Sequence, residues 1–407
     1  MTRSLSLLLA LALAACGGSS AEPNAEPNAA GGAPAPDAPT VQTDASAARA
    51  GMSADSLLAA RARLDDALAR YRRIADGGGW PTIPEGDLVE PGDTAPDQVR
   101  ALRQRLAATD ELGAASETGD RFDGPLVAAL ARFQARHGLA VDSLLGGNTR
   151  AALNRSASRR VAQIEATLDR WDALPEIPTG PGSRYVMVNV PEFRVRAFEG
   201  GREALQMKVV VGRAYDDQAT PLFHDRMEHV VFRPYWNVPP SIATEELTPQ
   251  GPAALAEQRF EIVSHYAPDA TVYDMTAANL RRVAAGSLRI RQGPGPDNAL
   301  GLVKYMFPNE YAVYLHDTPA EELFSRAERT FSHGCIRLED PAAFGAWALG
   351  PQGWDEARVR ESMTTGDRQK VMLDEEIPVY IVYLPVWADD DGHVHFAQDV
   401  YDELAES

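Results

Sequence analysis

The stretch Phe331-Ser332-His333-Gly334-Cys335-Ile336-Arg337-Leu338-Glu339-Asp340, FSHGCIRLED, decides how the rest of the chain is read. Cys335 is the only cysteine beyond Cys16. It stands between a histidine and an arginine, and Gly334 beside it frees the backbone for a tight turn. Asp340-Pro341 reads as a helix start, with Asp340 as N-cap and Pro341 at the first helical position, and Gly350 ends that helix. The cysteine is therefore expected on a strand or turn just ahead of a helix.

The opposite end of the chain gives that thiol a setting. MTRSLSLLLALALAACGG, residues 1–18, has Arg3, then an apolar run from Leu5 to Ala15 that is too short to span a bilayer. Leu13-Ala14-Ala15-Cys16 resembles the lipobox of bacterial lipoproteins. The resemblance implies a signal peptide over 1–15 and lipidation of Cys16. The product is a periplasmic, lipid-anchored protein tethered without a spanning helix. Gly17, in place of an aspartate, leans toward the outer membrane. An ordinary signal peptide is the alternative. With Cys16 lipidated, Cys335 has no disulfide partner. A free thiol in an oxidising compartment is a liability unless it does chemistry.

The chain has 407 residues, enough for two domains with tails, and 44% hydrophobic residues, enough for a core. Its net charge of −19 argues against nucleic acid as a partner. Residues 16–50 read as a disordered linker rich in Ala, Pro and Gly, with AEPN repeated. From 51 to about 180 the period is helical. Leu57, Leu64, Leu68 and Tyr71 share a face ahead of Gly77-Gly78-Gly79, and Val99, Leu102 and Leu106 follow. Next come Leu126, Leu130 and Phe133 behind Asp123, a helix from Asn148, and a long one with Val161, Ile164, Leu168 and Trp171.

Past LPEIPTGPG, residues 174–182, the period becomes two. Val186, Val188 and Val190 alternate, as do Leu205, Met207, Val209 and Val211, and Gly200-Gly201 between them predicts a hairpin. A strand is expected from Val230 to Tyr235. Residues 241–290 turn helical and acidic and read as an insertion into the sheet domain. Two further strands frame Pro308-Asn309, and IPVYIVYLPVW, residues 377–387, is a final buried strand. Residues 387–407 are a C-terminal hairpin and tail. Their DDDG, residues 389–392, reads as a turn rather than a calcium loop because no glutamate follows at the required spacing. His393 and His395 fall on one face of an exposed strand.

In the second strand around Pro308-Asn309, Tyr311, Val313 and Leu315 point one way and Ala312, Tyr314 and His316 the other. A histidine thus ends a strand on the face opposite the aliphatic stripe. A thiol of pKa about 8.5 is mostly protonated at neutral pH and needs a base or a positive neighbour to attack a carbonyl. His316 or His333 is placed to supply either, and Arg337 lies two residues past the cysteine. Gly334 lets the turn aim its own N–H and that of Cys335 at a developing oxyanion. Zinc is the competing use of His, His and Cys. One sulfur and no short paired spacing set it aside, so neither metal nor cofactor is expected.

YLHDTP, residues 314–319, followed by SHGCIRLED, residues 332–340, resembles the L,D-transpeptidase catalytic domain of the YkuD family. That family carries an upstream histidine and then Ser-(His/Ser)-Gly-Cys-hydrophobic-Arg. YWNVPPSI (235–242) and RQGPGPDNALG (291–301) resemble the flanking motifs of its lid-bearing branch. DGPLVAALARFQARHGLAVDSLLGGNTRAALN (123–154) resembles the peptidoglycan-binding domain type 1 repeat. The match covers 97–155 through Asp123-Gly124, Phe133-Gln134, Gly138-Leu139, Asp142, Gly146, Thr149 and Leu153. Ser143 stands where that family usually has glycine. A helical bundle that only scaffolds its neighbour is the alternative.

These resemblances imply a multidomain α+β chain. A mostly β catalytic domain over 183–386, a YkuD-like β-sandwich with short helices and a helical lid at 241–290, follows an all-α peptidoglycan-binding or scaffold domain. They also imply the chemistry, which belongs to cell wall biogenesis. Cys335 attacks the carbonyl between diaminopimelate and the terminal D-alanine of a peptidoglycan tetrapeptide stem. D-Alanine leaves, and an amine of a neighbouring stem resolves the thioester into a diaminopimelate–diaminopimelate cross-link.

His316 takes the thiol proton, and the Asp317 backbone carbonyl orients its ring. His333 shapes the turn, and Arg337 anchors the cysteine loop or binds a substrate carboxylate. Ser332, Asp317, Trp236 and Tyr305 are the candidate substrate contacts. Glu339 stands where the family often has asparagine, which leaves that position's role open. The partners are stem peptide, glycan and a membrane. The rivals are an L,D-carboxypeptidase, in which water replaces the amine, and a non-catalytic wall tether. A papain-like peptidase has its cysteine ahead of its histidine, and here His316 comes first.

Overall fold

The computed structural model describes residues 55–113, 119–215 and 218–404. Cys16 and the linker lie outside them. Among the described residues no helix is long and apolar enough to cross a membrane.

The helical half follows its periodicity. Helix α1 (Asp55–Asp76) stops at the glycine run. Helices α2 (Pro96–Ala107) and α3 (Gly124–Arg136) bury Val99, Leu102 and Leu106 with Leu126, Leu130 and Phe133 in one core. Asp123 caps α3 by accepting the Leu126 N–H at 3.2 Å, a contact of the kind worth about 1 kcal/mol. Helices α4 (Gly147–Leu153) and α5 (Ala157–Asp172) complete the unit. The repeat's polar residues have local work. Buried Gln134 donates to Asp142 at 2.7 Å and Thr149 at 3.2 Å and accepts the Ser143 N–H at 2.8 Å. Ser143 has φ +59, the left-handed backbone that glycine enters without strain.

The first hairpin departs from what its alternation predicts, because a strand lies between the two expected ones. Strand β1 (Arg184–Asn189) runs into a 3₁₀ turn at Val190–Glu192, Phe193 turns left-handed at φ +54, and β2 (Arg194–Glu199) returns beside β1. Gly200-Gly201 then joins β2 to β3 (Arg202–Gly212). Arg194 and Arg196 disguised β2 as polar surface. Arg196 is in fact half-buried and pairs with the buried carboxylates of Glu192 and Glu203. Strand β4 (Phe223–Phe232) stops short of Tyr235 because Arg233 turns left-handed at φ +51.

The insertion is not purely helical. It holds β5 (Trp236–Asn237), α6 (Pro240–Ile242), a π-helical turn at Ala243–Leu247, α7 (Pro252–Glu257), β6 (Phe260–Val263), β7 (Val272–Tyr273), α8 (Ala277–Ala284) and β8 (Arg289–Gln292). Its strands form their own sheet in the order β5-β8-β6-β7. Strands of two to four residues leave too little alternation to read. Ile242, Leu247, Leu255, Ile262, Leu280 and Ile290 give this insertion a core of its own.

Strands β9 (Val303–Met306) and β10 (Leu315–His316) follow, then β11 (Thr330–Ser332) and β12 (Ile336–Leu338). Helices α9 (Pro341–Leu349) and α10 (Glu356–Thr364) lead to β13 (Gln369–Val382) and the hairpin β14 (Val386–Ala388) and β15 (Val394–Phe396). The expected strand from Tyr311 shrinks to β10. Asn309 caps a turn there, accepting the Tyr311 N–H at 3.0 Å and the Val313 N–H at 3.2 Å, and Ala312 has φ +55. Tyr311 is exposed rather than sharing the buried stripe of Val313 and Leu315.

The main sheet runs β11-β3-β12-β10-β9-β4-β13-β1-β2, and β2 also pairs with β3. That last pairing closes the sheet around a core of Val188, Val209, Val230, Val303, Leu315 and Ile336, onto which α9 adds Phe344. The C-terminal hairpin leaves this sheet. Val386, Val394 and Phe396 pack with Leu64 and Tyr71 of α1 and Ile164 and Leu168 of α5. His395 is not on an exposed face. It stacks on Trp387 at 5.0 Å and donates to Asp389 at 3.1 Å, while Asp389 also accepts the His393 N–H at 2.8 Å and shapes the acidic turn.

Candidate active site

Three adjacent strands put one residue each in a single row. Antiparallel pairing sets Lys304 of β9 beside His316 of β10, and parallel pairing sets Arg337 of β12 on the other side. The neighbouring positions Val303, Tyr305, Leu315 and Ile336 face the core. Alternation therefore sends the row to the opposite face. Cys335 lies two residues before Arg337, in the turn from β11 to β12.

That turn is held from both sides. Gly334 has φ +104, a conformation few other residues adopt. The Ser332 hydroxyl donates to the Cys335 carbonyl oxygen at 2.5 Å and accepts the Gly334 N–H at 3.2 Å. Thr220 donates to the Gly334 carbonyl oxygen at 2.9 Å. Two expectations change as a result. Ser332 is buried and spent on the turn, so it is not a substrate contact. The Gly334 N–H is spent as well, which leaves the Cys335 N–H as the turn's donor for an oxyanion.

The half-buried thiol lies 3.8 Å from the Ala312 carbonyl oxygen. Burial pushes its pKa up. Hydrogen bonds from the Tyr314 N–H and hydroxyl, and the charges of Lys304 and Arg337, pull it back part of the way. Burial also holds the Tyr314 hydroxyl well above its ordinary value, so it stays a donor. Lys304 is lowered to about 8, by burial first.

His316 is buried, and its Nδ1 lies 2.5 Å from the Asp317 carbonyl oxygen, which only accepts, so Nδ1 carries the proton. Burial, with Arg337 and Lys304 beside it, holds this imidazole down to about 3, against the pull of the Asp317 and Leu300 carbonyls. His316 is thus neutral at neutral pH. Among the described residues the sulfur donates to the Ala312 carbonyl oxygen, and His316 is not a hydrogen-bond partner. The Tyr314 ring lies edge-on to His316 at 5.7 Å. Direct transfer of the thiol proton to His316 is uphill in this arrangement.

The His333 Nε2 instead meets Glu246 of the insertion at 2.7 Å. The Arg337 Nε is buried without a hydrogen-bond partner among the described residues. The remaining expected contacts lie elsewhere. The Asp317 carboxylate accepts the Leu302 and Thr318 N–H groups, both at 2.7 Å, and so serves its own loop. Trp236 packs on Phe260 within the lid core, with ring centroids 6.0 Å apart. Tyr305 is fully buried and donates to the Pro341 carbonyl oxygen at 2.5 Å. Glu339 is paired with Lys208 at 3.0 Å, outside the row.

Sequence reasoning missed Tyr314, Lys304 and Glu246. Tyr314 was legible in principle, sharing the His316 face by alternation. Lys304 required the β9–β10 pairing. Nothing in the sequence pointed to Glu246.

Comparison with known proteins gives this arrangement its relatives. Residues 183–372 match the YkuD family, "L,D-transpeptidase catalytic domain", and residues 95–153 match PG_binding_1, "Putative peptidoglycan binding domain". A Haemophilus influenzae protein described as "Putative L,D-transpeptidase" is 28% identical over 243 residues, covering 59% of this chain and 47% of that protein. The chain therefore spans about half the length of this relative. Among solved structures, an L,D-transpeptidase from Mycobacterium smegmatis is 12% identical, covering 49% of this chain and 58% of that one, with a TM-score of 0.25. One from Xylanimonas cellulosilytica is 17% identical, covering 74% and 99%, with a TM-score of 0.21. Scores this low carry no argument.

Proposed function

From a chain whose residues 183–372 belong to the L,D-transpeptidase catalytic domain family, and whose residues 95–153 belong to a peptidoglycan-binding family, we propose a cysteine-dependent acyltransferase that cross-links peptidoglycan. Cys335 attacks the carbonyl between diaminopimelate and the terminal D-alanine of a tetrapeptide stem. The C–N bond breaks, D-alanine leaves with a proton, and a thioester remains. An amine of a neighbouring stem then attacks that carbonyl, an amide forms, and the thiol is restored with the amine's proton.

The observation that carries this reading is the row Lys304–His316–Arg337 beside a thiol held in a glycine turn. Two cations lower the cost of the thiolate that attack requires. His316, neutral and fixed by Asp317, is the proton acceptor once bound substrate brings the thiol and imidazole together. Arg337 takes a substrate carboxylate rather than anchoring the turn, because Ser332 and Thr220 already hold the turn and the Arg337 Nε is unspent. The peptidoglycan-binding domain supplies the glycan contact, and Cys16 the lipid anchor of a periplasmic, outer-membrane-tethered protein.

The test is incubation with disaccharide-tetrapeptide and resolution of the products by mass. Cross-linked dimers with released D-alanine are expected. Tripeptide without dimers means an L,D-carboxypeptidase, and intact tetrapeptide removes the enzyme reading.

A further inference from the structure

We propose that Glu246 of the lid is a positioning residue that acts through His333, latching the lid to the turn that carries the nucleophile. The contact joins residues 87 apart in sequence, at 2.7 Å between the Glu246 carboxylate and His333 Nε2. A carboxylate only accepts, so His333 donates. His333 follows Ser332, whose hydroxyl clamps the Cys335 carbonyl, and precedes Gly334, whose backbone sets the turn. Force on its ring is therefore transmitted straight to the turn holding the sulfur.

The lid end of the latch is equally well founded. Glu246 sits in the π-helical turn Ala243–Leu247. A π turn widens the helix and re-aims its side chains, and such turns recur at functional sites. Ala243 and Leu247 of the same turn are buried in the lid core, so the carboxylate projects from a fixed base. That core is separate from the core of the main sheet, so the lid is a body able to move as a unit about its two chain connections. The pair itself is half-exposed, with side-chain exposures of 26% for His333 and 47% for Glu246. A pair this wet is weak enough to part and re-form as substrate enters and product leaves.

The consequence for acyl transfer rests on the reading above. A latched lid keeps water from the thioester while the amine arrives. The latch itself does not depend on that reading. Its test follows N-ethylmaleimide labelling of Cys335 in the full chain by peptide mass spectrometry. The proteins compared are the parent, Glu246→Ala, Glu246→Gln, His333→Ala, and the double variant Glu246→Ala with His333→Ala. Glu246→Ala is expected to speed labelling roughly two- to fivefold, in keeping with a half-exposed ion pair. Glu246→Gln, whose amide oxygen still accepts, stays near the parent. Glu246→Ala has no further effect once His333 is gone.

An unchanged rate for Glu246→Ala, or its full effect persisting in the His333→Ala background, overturns the proposal. Amide hydrogen exchange over 241–257 reads the same latch without the thiol. Faster exchange confined to the lid in Glu246→Ala supports it, and unchanged exchange overturns it. Labelling as expected in a protein that yields no acyl-transfer products would remove the transpeptidase reading and leave the latch standing.

Discussion

The rings of Tyr314 and His316 meet edge-on, with centroids 5.7 Å apart. The Tyr314 hydroxyl also helps pull the Cys335 thiol back from the rise that burial imposes on it. A donor on the sulfur favours the thiolate over the thiol, so the pair contributes to activation rather than only filling space.

Tyr314→Phe keeps the ring and removes that donor. A hydrogen bond to a charged group is worth about 1.5–3 kcal/mol, so iodoacetamide alkylation of Cys335 near neutral pH should slow by roughly ten- to a hundredfold. A rate within twofold of the parent would mean the hydroxyl is a bystander.

Lys304→Met tests the charge beside the sulfur. A cation stabilises the thiolate, which forms as pH rises, so losing it moves the midpoint of the alkylation–pH profile upward. Lys304→Arg, which keeps the charge, should leave the midpoint near the parent's. His316 is held down to about 3 and is already neutral through the whole range. No limb should appear at the ordinary histidine value of about 6.5. A downward shift for Lys304→Met, or a clear limb there, would contradict this electrostatic account.

Gly334→Ala isolates the turn's backbone. The added Cβ meets nothing nearer than the Ala219 carbonyl oxygen at 3.7 Å, so sterics are ordinary, but φ +104 is strained for alanine. The expected cost is about 1–3 kcal/mol in chemical denaturation, with slower alkylation of Cys335. Unchanged stability and reactivity would show that the turn tolerates a side chain.

Cys335→Ala should abolish D-alanine release from tetrapeptide while leaving the melting temperature within error of the parent. Carbapenems should acylate Cys335, giving one adduct by intact mass in the parent and none in this variant. Release persisting without the thiol would end the acyl-enzyme mechanism.

Phe396→Ala probes how the C-terminal hairpin is held to the helices. Phe396 is buried, faces His137 at 5.5 Å, and lies under the Arg160 guanidinium at 4.3 Å. Truncating a buried aromatic costs about 3–5 kcal/mol, read as a lower denaturation midpoint. A loss below about 1 kcal/mol would mean the hairpin is only loosely docked.

Elements whose pattern repeats over many residues were legible. The α2–α3 core, the Asp123 and Asp340 caps and the buried stripe of β13 follow from apolar spacing and cap chemistry within one segment. Elements whose burial or length turns on particular side-chain bonds were not. Strand β2 hides its burial because Arg196 is neutralised by Glu192 and Glu203, and β10 is cut to two residues by a turn that Asn309 caps.

The sequence by itself determined the turn that holds Cys335, because Ser332, Gly334 and Cys335 are nearly contiguous and the bonds between them are local. It also determined the residue at which the strand carrying His316 ends. Only the tertiary structure decided which groups surround the sulfur. Lys304 comes near it through strand pairing, Tyr314 joins the His316 face and acts on the thiol, and Glu246 arrives from an insertion with a core of its own. Each of these is a relation between segments, set by register and by which cores pack together, and a single segment's pattern carries no record of its neighbours.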